Sequence, residues 1–311
     1  MSVAVRILIG DARARLAGLP DESVHCAVTS PPYYGLRDYG HAEQIGLEPT
    51  PDAYVETMVC VFREVRRVMR ADATLWLNLG DSYAAGGMGA GSGKQLTNRG
   101  TSAGGHMNKP RTAPHGLKPK DLIGIPWRVA LALQADGWWL RQDIIWSKPN
   151  PMPESVTDRC TKAHEYLFLL SKSATYHYDA EAIAEDAVVV GGRVCGPKND
   201  ASRNDAGTTQ TVRDDGLSRN RRSVWTIATQ PFSEAHFATF PPALIEPCIL
   251  AGCPVGGTVL DPFGGAGTTG LVADRLGRNA VLIELNPAYA EMARKRIEGD
   301  APMLTTVEIA A

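Results

Sequence analysis

The sequence predicts an α/β protein with a mostly parallel sheet and helices on both faces. Three observations carry this expectation. Short apolar runs alternate with segments of helical apolar spacing, two of those runs stop abruptly at glycine or proline, and a glycine-rich turn joins a strand to a helix in the last third.

Taken in order, Val5-Arg6-Ile7-Leu8-Ile9 reads as a short strand ending at Gly10-Asp11, with a short helix over 12–18. Val24-His25-Cys26-Ala27-Val28 reads as a second strand. Pro31-Pro32 breaks it, because prolines bring no N–H to a ladder. Residues 52–69 place Tyr54, Met58, Phe62, Val65, Val68 and Met69 at helical spacing. A strand is expected at 73–79, a helix at 122–136 that stops near Gly137, and strands at 143–146 and 166–170. The last third returns to the same alternation. It predicts a helix over 242–252, a strand at 258–260, a glycine turn leading into a helix up to Leu276, and a strand over 279–283 ending at Glu284. A helix over 287–297 closes it, with Pro287 in the first turn, where a missing N–H costs no bond.

The chain has 311 residues, 44% of them hydrophobic, which suits one large domain, or a domain plus a smaller module, with a sizeable core. Its formal charge of -2 gives no global argument for nucleic acid, so any grip on phosphates must come from local basic patches. Two polar segments interrupt the pattern. Residues 86–120 are rich in Gly, Ser, Thr and Asn, carry Lys94, Arg99, Lys109, Arg111, Lys118 and Lys120, and contain no acid; the composition predicts a mobile loop. Residues 181–222 are polar with mixed charge and end in Arg219-Asn220-Arg221-Arg222. The six cysteines form no Cys-x-x-Cys pair, so no metal site is expected, and sparse cysteine suits a reducing cytosol. No signal-peptide pattern and no membrane-length apolar run occur; a cytoplasmic protein without membrane contact is expected.

Two constellations carry chemistry. Phe263-Gly264-Gly265-Ala266-Gly267 lies between a strand and a helix, where glycine lets backbone approach a ligand and the helix start offers free N–H groups. Glu284 follows about twenty residues on, at the next strand end, a spacing that suits an acid accepting hydrogen bonds from ribose hydroxyls. The Gly-x-Gly-x-x-Gly of a dinucleotide fold is absent, and Asp261-Pro262-Phe263 suits a ligand without pyrophosphate. The second constellation is Ser30-Pro31-Pro32-Tyr33, at the carboxyl end of a strand, the edge where open α/β sheets bind ligands. The Ser30 hydroxyl and the Pro31 carbonyl can both accept, and Tyr33 supplies a flat face. Such a strip meets the need of an exocyclic base amine, whose lone pair is delocalised into the ring. Two fixed acceptors on its hydrogens favour a tetrahedral nitrogen that can face a methyl sulfonium, and an aromatic face can hold a base flipped out of a duplex. Alone, either constellation would pass for a tight turn or a proline-rich loop.

Together, and in this order, these residues resemble the amino-methylating DNA methyltransferases, specifically the circularly permuted (beta-class) group in which the catalytic motif precedes the cofactor motif. Ser30-Pro31-Pro32-Tyr33 resembles the family's (Asp/Asn/Ser)-Pro-Pro-aromatic motif, and Asp261 to Gly267 its cofactor motif. The resemblance covers most of 5–83, 119–180 and 230–298. It implies a Rossmann-like seven-stranded sheet with polar DNA-facing insertions, in which the strand at 258–260 lies beside that at 24–28. S-adenosylmethionine is the implied cofactor, held by Asp11 (at its adenine), Asp261, Phe263, Gly265, Gly267, Thr268, Glu284 and Phe240, the last within a segment, His236 to Pro241, that closes over the methionine end. Double-stranded DNA is the implied partner. Lys94, Arg99, Lys109, Arg111, Lys148, Arg219, Arg221 and Arg222 are candidates to hold it. The division expected is a catalytic half over 1–180, a target-recognition insertion over 181–225 and a cofactor half over 226–311. A homodimer and a cognate restriction endonuclease are further partners of this class.

Serine at the first motif position leans towards cytosine N4 within the family, with adenine N6 as the alternative. Methylation at cytosine carbon 5 would need a cysteine nucleophile; Pro247-Cys248 lies in an expected helix, so Cys248 reads as core. RNA or protein amide methyltransferases use similar strips but place the cofactor motif first. A methyltransferase-like DNA-binding module without activity is the remaining class, and the intact Ser30, Tyr33, Gly265 and Glu284 speak against it.

Overall fold

The computed structural model describes residues 3–36, 44–84, 116–186, 218–230, 240–300 and 305–310, with the backbone of 189–190 and 193–194. Strand β1 (Val3–Ile9) leads into helix α1 (Ala12–Ala17), whose first amides are capped by the Asp11 carboxylate. Then come β2 (Val24–Thr29) and α2 (Pro51–Val68). Helix α2 starts where the Thr50 hydroxyl accepts from the Ala53 amide and Pro51 sits in the first turn. Next are β3 (Met69–Leu79), α3 (Ile125–Ala135), β4 (Trp139–Ser147) and β5 (His164–Ser171). Four two-residue strands follow: β6 (Glu185–Asp186), β7 (Val189–Val190), β8 (Arg193–Val194) and β9 (Ser218–Arg219). The last part runs β10 (Val224–Thr226), α4 (Pro242–Gly252), β11 (Thr258–Asp261), α5 (Thr268–Arg275), β12 (Asn279–Glu284), α6 (Pro287–Asp300) and β13 (Thr305–Ala310).

Nine of the described strands form the central sheet, in the order β10-β4-β5-β3-β2-β11-β12-β1-β13. Only β5 runs against its neighbours, β3 and β4; the other pairs are parallel. The expected α/β class with helices on both faces is therefore observed, but the expected count of seven is corrected to nine. The two additional strands are β10 and β13, one at each edge. An edge strand has a neighbour on one side only and needs few apolar residues, so neither stood out by periodicity. The β6/β9 and β7/β8 ribbons lie outside this sheet.

Side-chain alternation divides the core. Leu75, Leu77 and Leu79 of β3, Leu260 of β11, and Val281 and Ile283 of β12 pack with α1, α2 and α3. Trp76 of β3, Val259 of β11 and Leu282 of β12 point the other way, into α4, α5 and α6. Strand β3 starts four residues before the expected position because Arg70, Ala71 and Asp72 are exposed, and only its continuation over 73–79 has an apolar signature. Cys248 is fully buried in α4, and burial pushes its thiol well above the ordinary range, which suits a core residue. Among the described residues, no helix is long and apolar enough to cross a membrane.

Helix α4 lies close to the sheet because it ends in glycine. A Cβ on Gly252 would stand 2.5 Å from Thr74 Oγ1, 2.7 Å from Trp76 Nε1 and 2.9 Å from Cys26 Sγ, all on buried strands. Gly252→Ala is therefore expected to cost about 2 kcal/mol of stability by overpacking. Urea denaturation at neutral pH measures it, and an unchanged midpoint would contradict this packing.

Candidate active site

Strands β2 and β11 are neighbours, with Cys26 opposite Val259 and Ala27 opposite Leu260. From β11 the sheet continues through β12 to β1 on one side, and from β2 to β3 on the other. The carboxyl edge between β2 and β11 is thus a topological switch point, where loops diverge and leave a crevice. Asp261 fastens this junction. Its carboxylate accepts from the Thr29 hydroxyl (2.6 Å), the Thr269 hydroxyl (2.6 Å) and the Phe263 amide (3.0 Å). Burial pushes the Asp261 pKa up to about 6, against those three hydrogen bonds. One buried acid therefore joins the residue before Ser30 to the start of the glycine turn and to α5.

The turn is built for close approach. The Gly264 amide donates to the Ile283 carbonyl (2.7 Å), and Gly265 adopts φ +50, a left-handed conformation that glycine takes without strain. The Gly265 amide donates to Glu284 Oε2 (2.8 Å), while Glu284 Oε1 accepts from the Asn286 amide (2.8 Å). Burial raises the Glu284 pKa in spite of these bonds. Gly10 joins the same corner, its amide donating to the Glu284 carbonyl (2.9 Å). Asp11 borders the cavity, but its carboxylate also accepts from the Arg13 and Ala14 amides and the Arg13 guanidinium. Thr268 opens α5, with its hydroxyl accepting from Arg296 (2.9 Å).

On the β2 side, the Pro32 carbonyl accepts from the Tyr54 hydroxyl (2.9 Å), which pins the strip to α2. The Tyr33 ring lies against Gly80, where any Cβ would meet Cε2 at 2.5 Å. The Tyr33 hydroxyl lies 2.7 Å from Glu165 Oε2, 3.0 Å from Asn78 Oδ1 and 3.2 Å from Ser30 Oγ. Asn78 is oriented by its own amide, which donates to the Tyr166 carbonyl (3.1 Å). A carboxylate can only accept, and the Asn78 oxygen can only accept. Tyr33 therefore donates away from Ser30, and Ser30 donates to Tyr33. Burial, then the nearby Glu165 charge, push the Tyr33 phenol well above its ordinary pKa. Glu165 also pairs with Lys148, whose ammonium sits 4.1 Å from the Trp146 ring centroid. Lys162 donates to the Asp81 carbonyl (3.0 Å) and has its pKa lowered by burial.

These residues border one cavity of about 720 Å³. Ser30, Pro31, Pro32, Tyr33, Asp11, Phe240, Phe263, Gly265, Thr268 and Glu284 all line it. Two expected cofactor residues do not. Asp261 lies beneath as the fastener just described. Gly267 faces α6 instead, where a Cβ would meet Ala293 Cβ at 2.7 Å; its glycine serves helix packing.

The expected DNA contacts fare differently. Lys148 is a wall residue with 17% side-chain exposure, committed to Glu165, so it is not an exposed phosphate grip. Arg219 and Arg222 both pair with Glu185, and Arg219 keeps only 13% exposure. Arg221 stacks 4.7 Å over Trp225. Lys94, Arg99, Lys109, Arg111 and the segment 236–239 lie outside the described residues. The sequence reading missed Asn78, Glu165 and Lys162. A polar residue at the end of an apolar strand run, as in Leu77-Asn78-Leu79, and an acid opening one, as in Glu165-Tyr166-Leu167, were the available signals.

The Asp261 carboxyl titrates near 4 when unfolded and near 6 in the fold. Between those values the native state holds more protons than the unfolded one, so this group's contribution to stability falls as pH rises through the window. Asp261→Asn lacks that titration. Its stability relative to wild type should rise by roughly 2 kcal/mol between pH 4 and 7. Urea midpoints of both proteins at the two pH values test this, and a pH-independent difference would refute it.

Comparison with known proteins fits this geometry. Residues 24–295 match the N6/N4 methyltransferase family, described as DNA methylase. The Type II methyltransferase M.SmaI of Serratia marcescens is 50% identical over 292 residues, covering 94% of this chain and 90% of that protein. M.Cfr9I of Citrobacter freundii is 49% identical, covering 94% and 87%. Among solved structures, TTHA0409 of Thermus thermophilus, assigned as a DNA modification methylase and solved with S-adenosyl-L-methionine, has a TM-score of 0.61 at 25% identity, covering 99% of this chain and all of that one. The cytosine-N4-specific PvuII DNA methyltransferase shares the fold at TM-score 0.63 and 19% identity, covering 95% and 88%. The chain belongs to the N6/N4 DNA methylase family and is an S-adenosylmethionine-dependent DNA methyltransferase.

Proposed function

We propose that the protein methylates the exocyclic amine of a base flipped out of double-stranded DNA, that this base is cytosine and the product N4-methylcytosine, and that Ser30 to Tyr33 do the chemistry. The carrying observation is that the strip and the Gly265–Glu284 pair border a single cavity. The cofactor half fits its ligand: a partly buried acid and a glycine amide lie where backbone can approach closely, so Glu284 would take ribose hydroxyls and Phe263 and Phe240 would flank the ligand. S-adenosylmethionine supplies the electrophilic methyl.

The protein's part is to hold the amine. Ser30 spends its hydrogen on Tyr33, so its free lone pairs can receive an amine hydrogen. The Pro31 carbonyl would receive the other, and the Tyr33 face would carry the ring. Two acceptors draw the nitrogen lone pair out of conjugation and stabilise the positive charge that develops on it. The chain order, strip before glycine turn, fits a circularly permuted member. The stretch 181–225 would read the sequence, with the basic loop over 86–120 across the phosphates. A homodimer and a cognate endonuclease belong to the same reading, in a restriction-modification role.

Incubation with labelled S-adenosylmethionine and unmethylated bacterial DNA, followed by hydrolysis to nucleosides and mass spectrometry, tests the base. N4-methylcytosine is expected; N6-methyladenine as the product would overturn the assignment. Ser30→Ala should lower turnover by about 10²-fold or more with nearly unchanged cofactor affinity, since it acts on the amine alone. Wild-type turnover would remove Ser30 from the mechanism. Glu284→Ala should weaken cofactor binding by roughly 10-fold or more, as measured by calorimetry. Unchanged affinity would count against the ribose role.

A further inference from the structure

Methyl transfer leaves the amine nitrogen with a proton it must lose, and the reading above names acceptors for hydrogen bonds but no destination for that proton. A carbonyl such as that of Pro31 cannot pass one on. Ser30 can, because its hydroxyl is the first member of a directed chain. Ser30 Oγ–H points to Tyr33 Oη (3.2 Å), and Tyr33 Oη–H to Glu165 Oε2 (2.7 Å). The donor sense follows from chemistry, because Glu165 is an acceptor only.

We propose that this chain carries the departing proton from the amine to Glu165, and that Glu165 is the remote proton acceptor of the reaction. This rests on the amine-methylating reading of the same site. The balance is simple. The nitrogen lone pair forms the new N–C bond, and the C–S bond breaks with its electron pair left on sulfur. The amine proton moves to Ser30 Oγ, the Ser30 proton to Tyr33 Oη and the Tyr33 proton to Glu165 Oε2. Both hydroxyls are restored, the base is neutral, and Glu165 is a neutral acid that later releases its proton to solvent.

Three features separate this from a hydrogen bond that merely steadies the ring. An aromatic face for a base needs no hydroxyl, yet here the phenol oxygen is buried among four polar groups: Ser30, Asn78, Glu165 and, through Glu165, Lys148. Asn78 offers a neutral acceptor that would steady the ring without a charge. Lys148 pairs with the acceptor in a largely buried wall, and its ammonium sits over the Trp146 ring. The titratable groups around Glu165 are Lys148 just after β4, Tyr33 after β2, His164 on its own strand, and Lys162, with Asp81 and Glu154 further along the wall.

The test compares wild type, Glu165→Gln, Tyr33→Phe and the double variant in single-turnover methyl transfer from pH 5 to 9 on unmethylated bacterial DNA. Glutamine still accepts the phenol hydrogen bond but cannot take a proton. Each variant should lose about 10²-fold in rate, and the double variant no more than either, because the three groups act as one unit. Glu165→Asp should recover part of the rate. Independent of activity, cofactor affinity by calorimetry should stay within about threefold. The Tyr33 ¹³Cζ resonance, assigned by its loss in Tyr33→Phe, should move in Glu165→Gln. A Glu165→Gln rate close to wild type, or additive losses, would overturn the relay. If Ser30→Ala is inactive while Glu165→Gln is normal, only the relay fails. If wild type delivers methyl to no base amine, the underlying reading fails with it.

Discussion

The three hydrogen bonds into Asp261 are the interaction on which the site depends. Thr29 ends the strand that presents Ser30, Phe263 begins the glycine turn, and Thr269 belongs to the first turn of α5. A carboxylate buried to this degree is held at a cost, visible in its raised pKa, and the fold tolerates it because all three donors are satisfied at once. The gain is positional. Two loops contributed by residues 232 apart in sequence are tied together at one carboxylate. Methyl transfer between two bound molecules needs that rigidity more than it needs any single contact.

The same logic explains where sequence reasoning succeeded. Helix α4 was legible to the residue, because Pro241-Pro242 opens it and Gly252-Cys253-Pro254 closes it. The strip and the glycine turn were legible because proline and glycine mark backbone requirements that other residues cannot meet. Asp261 was seen as part of a motif but assigned to the ligand, whereas it is a fastener beneath it. Its partners, Thr29 and Thr269, are silent in sequence, since a threonine that bonds across the sheet looks like any β-branched residue. Gly267, which packs against Ala293 of α6, shows a related ambiguity. A glycine demanded by an approaching helix and one demanded by an approaching ligand have the same signature.

What sequence could not supply was the far wall. Glu165, Asn78, Lys148 and Lys162 come from three strand ends and a loop, with no spacing that links them. The net charge of -2 also hides how the charge is spent. Several cations that a linear reading would offer to phosphates are neutralised locally, Lys148 by Glu165 and both Arg219 and Arg222 by Glu185. Pairing of this kind is decided by the fold, and exposed pairs contribute little to stability. The half-buried Lys148–Glu165 pair is the exception. It gives the cavity wall beside Tyr33 its polarity.

That polarity has a consequence for which base the site can accept. With Glu165 receiving the Tyr33 hydrogen and Tyr33 receiving that of Ser30, neither hydroxyl keeps a hydrogen for a ligand. On the reading proposed above, the strip then faces the base with acceptors alone. An amino group brings two hydrogens to such a surface; a carbonyl, such as O4 of thymine, brings two lone pairs and would leave both partners unsatisfied in a half-buried site. Discrimination between amino and carbonyl bases would thus follow from the orientation of one serine hydroxyl, and that orientation is set by a carboxylate two hydrogen bonds away.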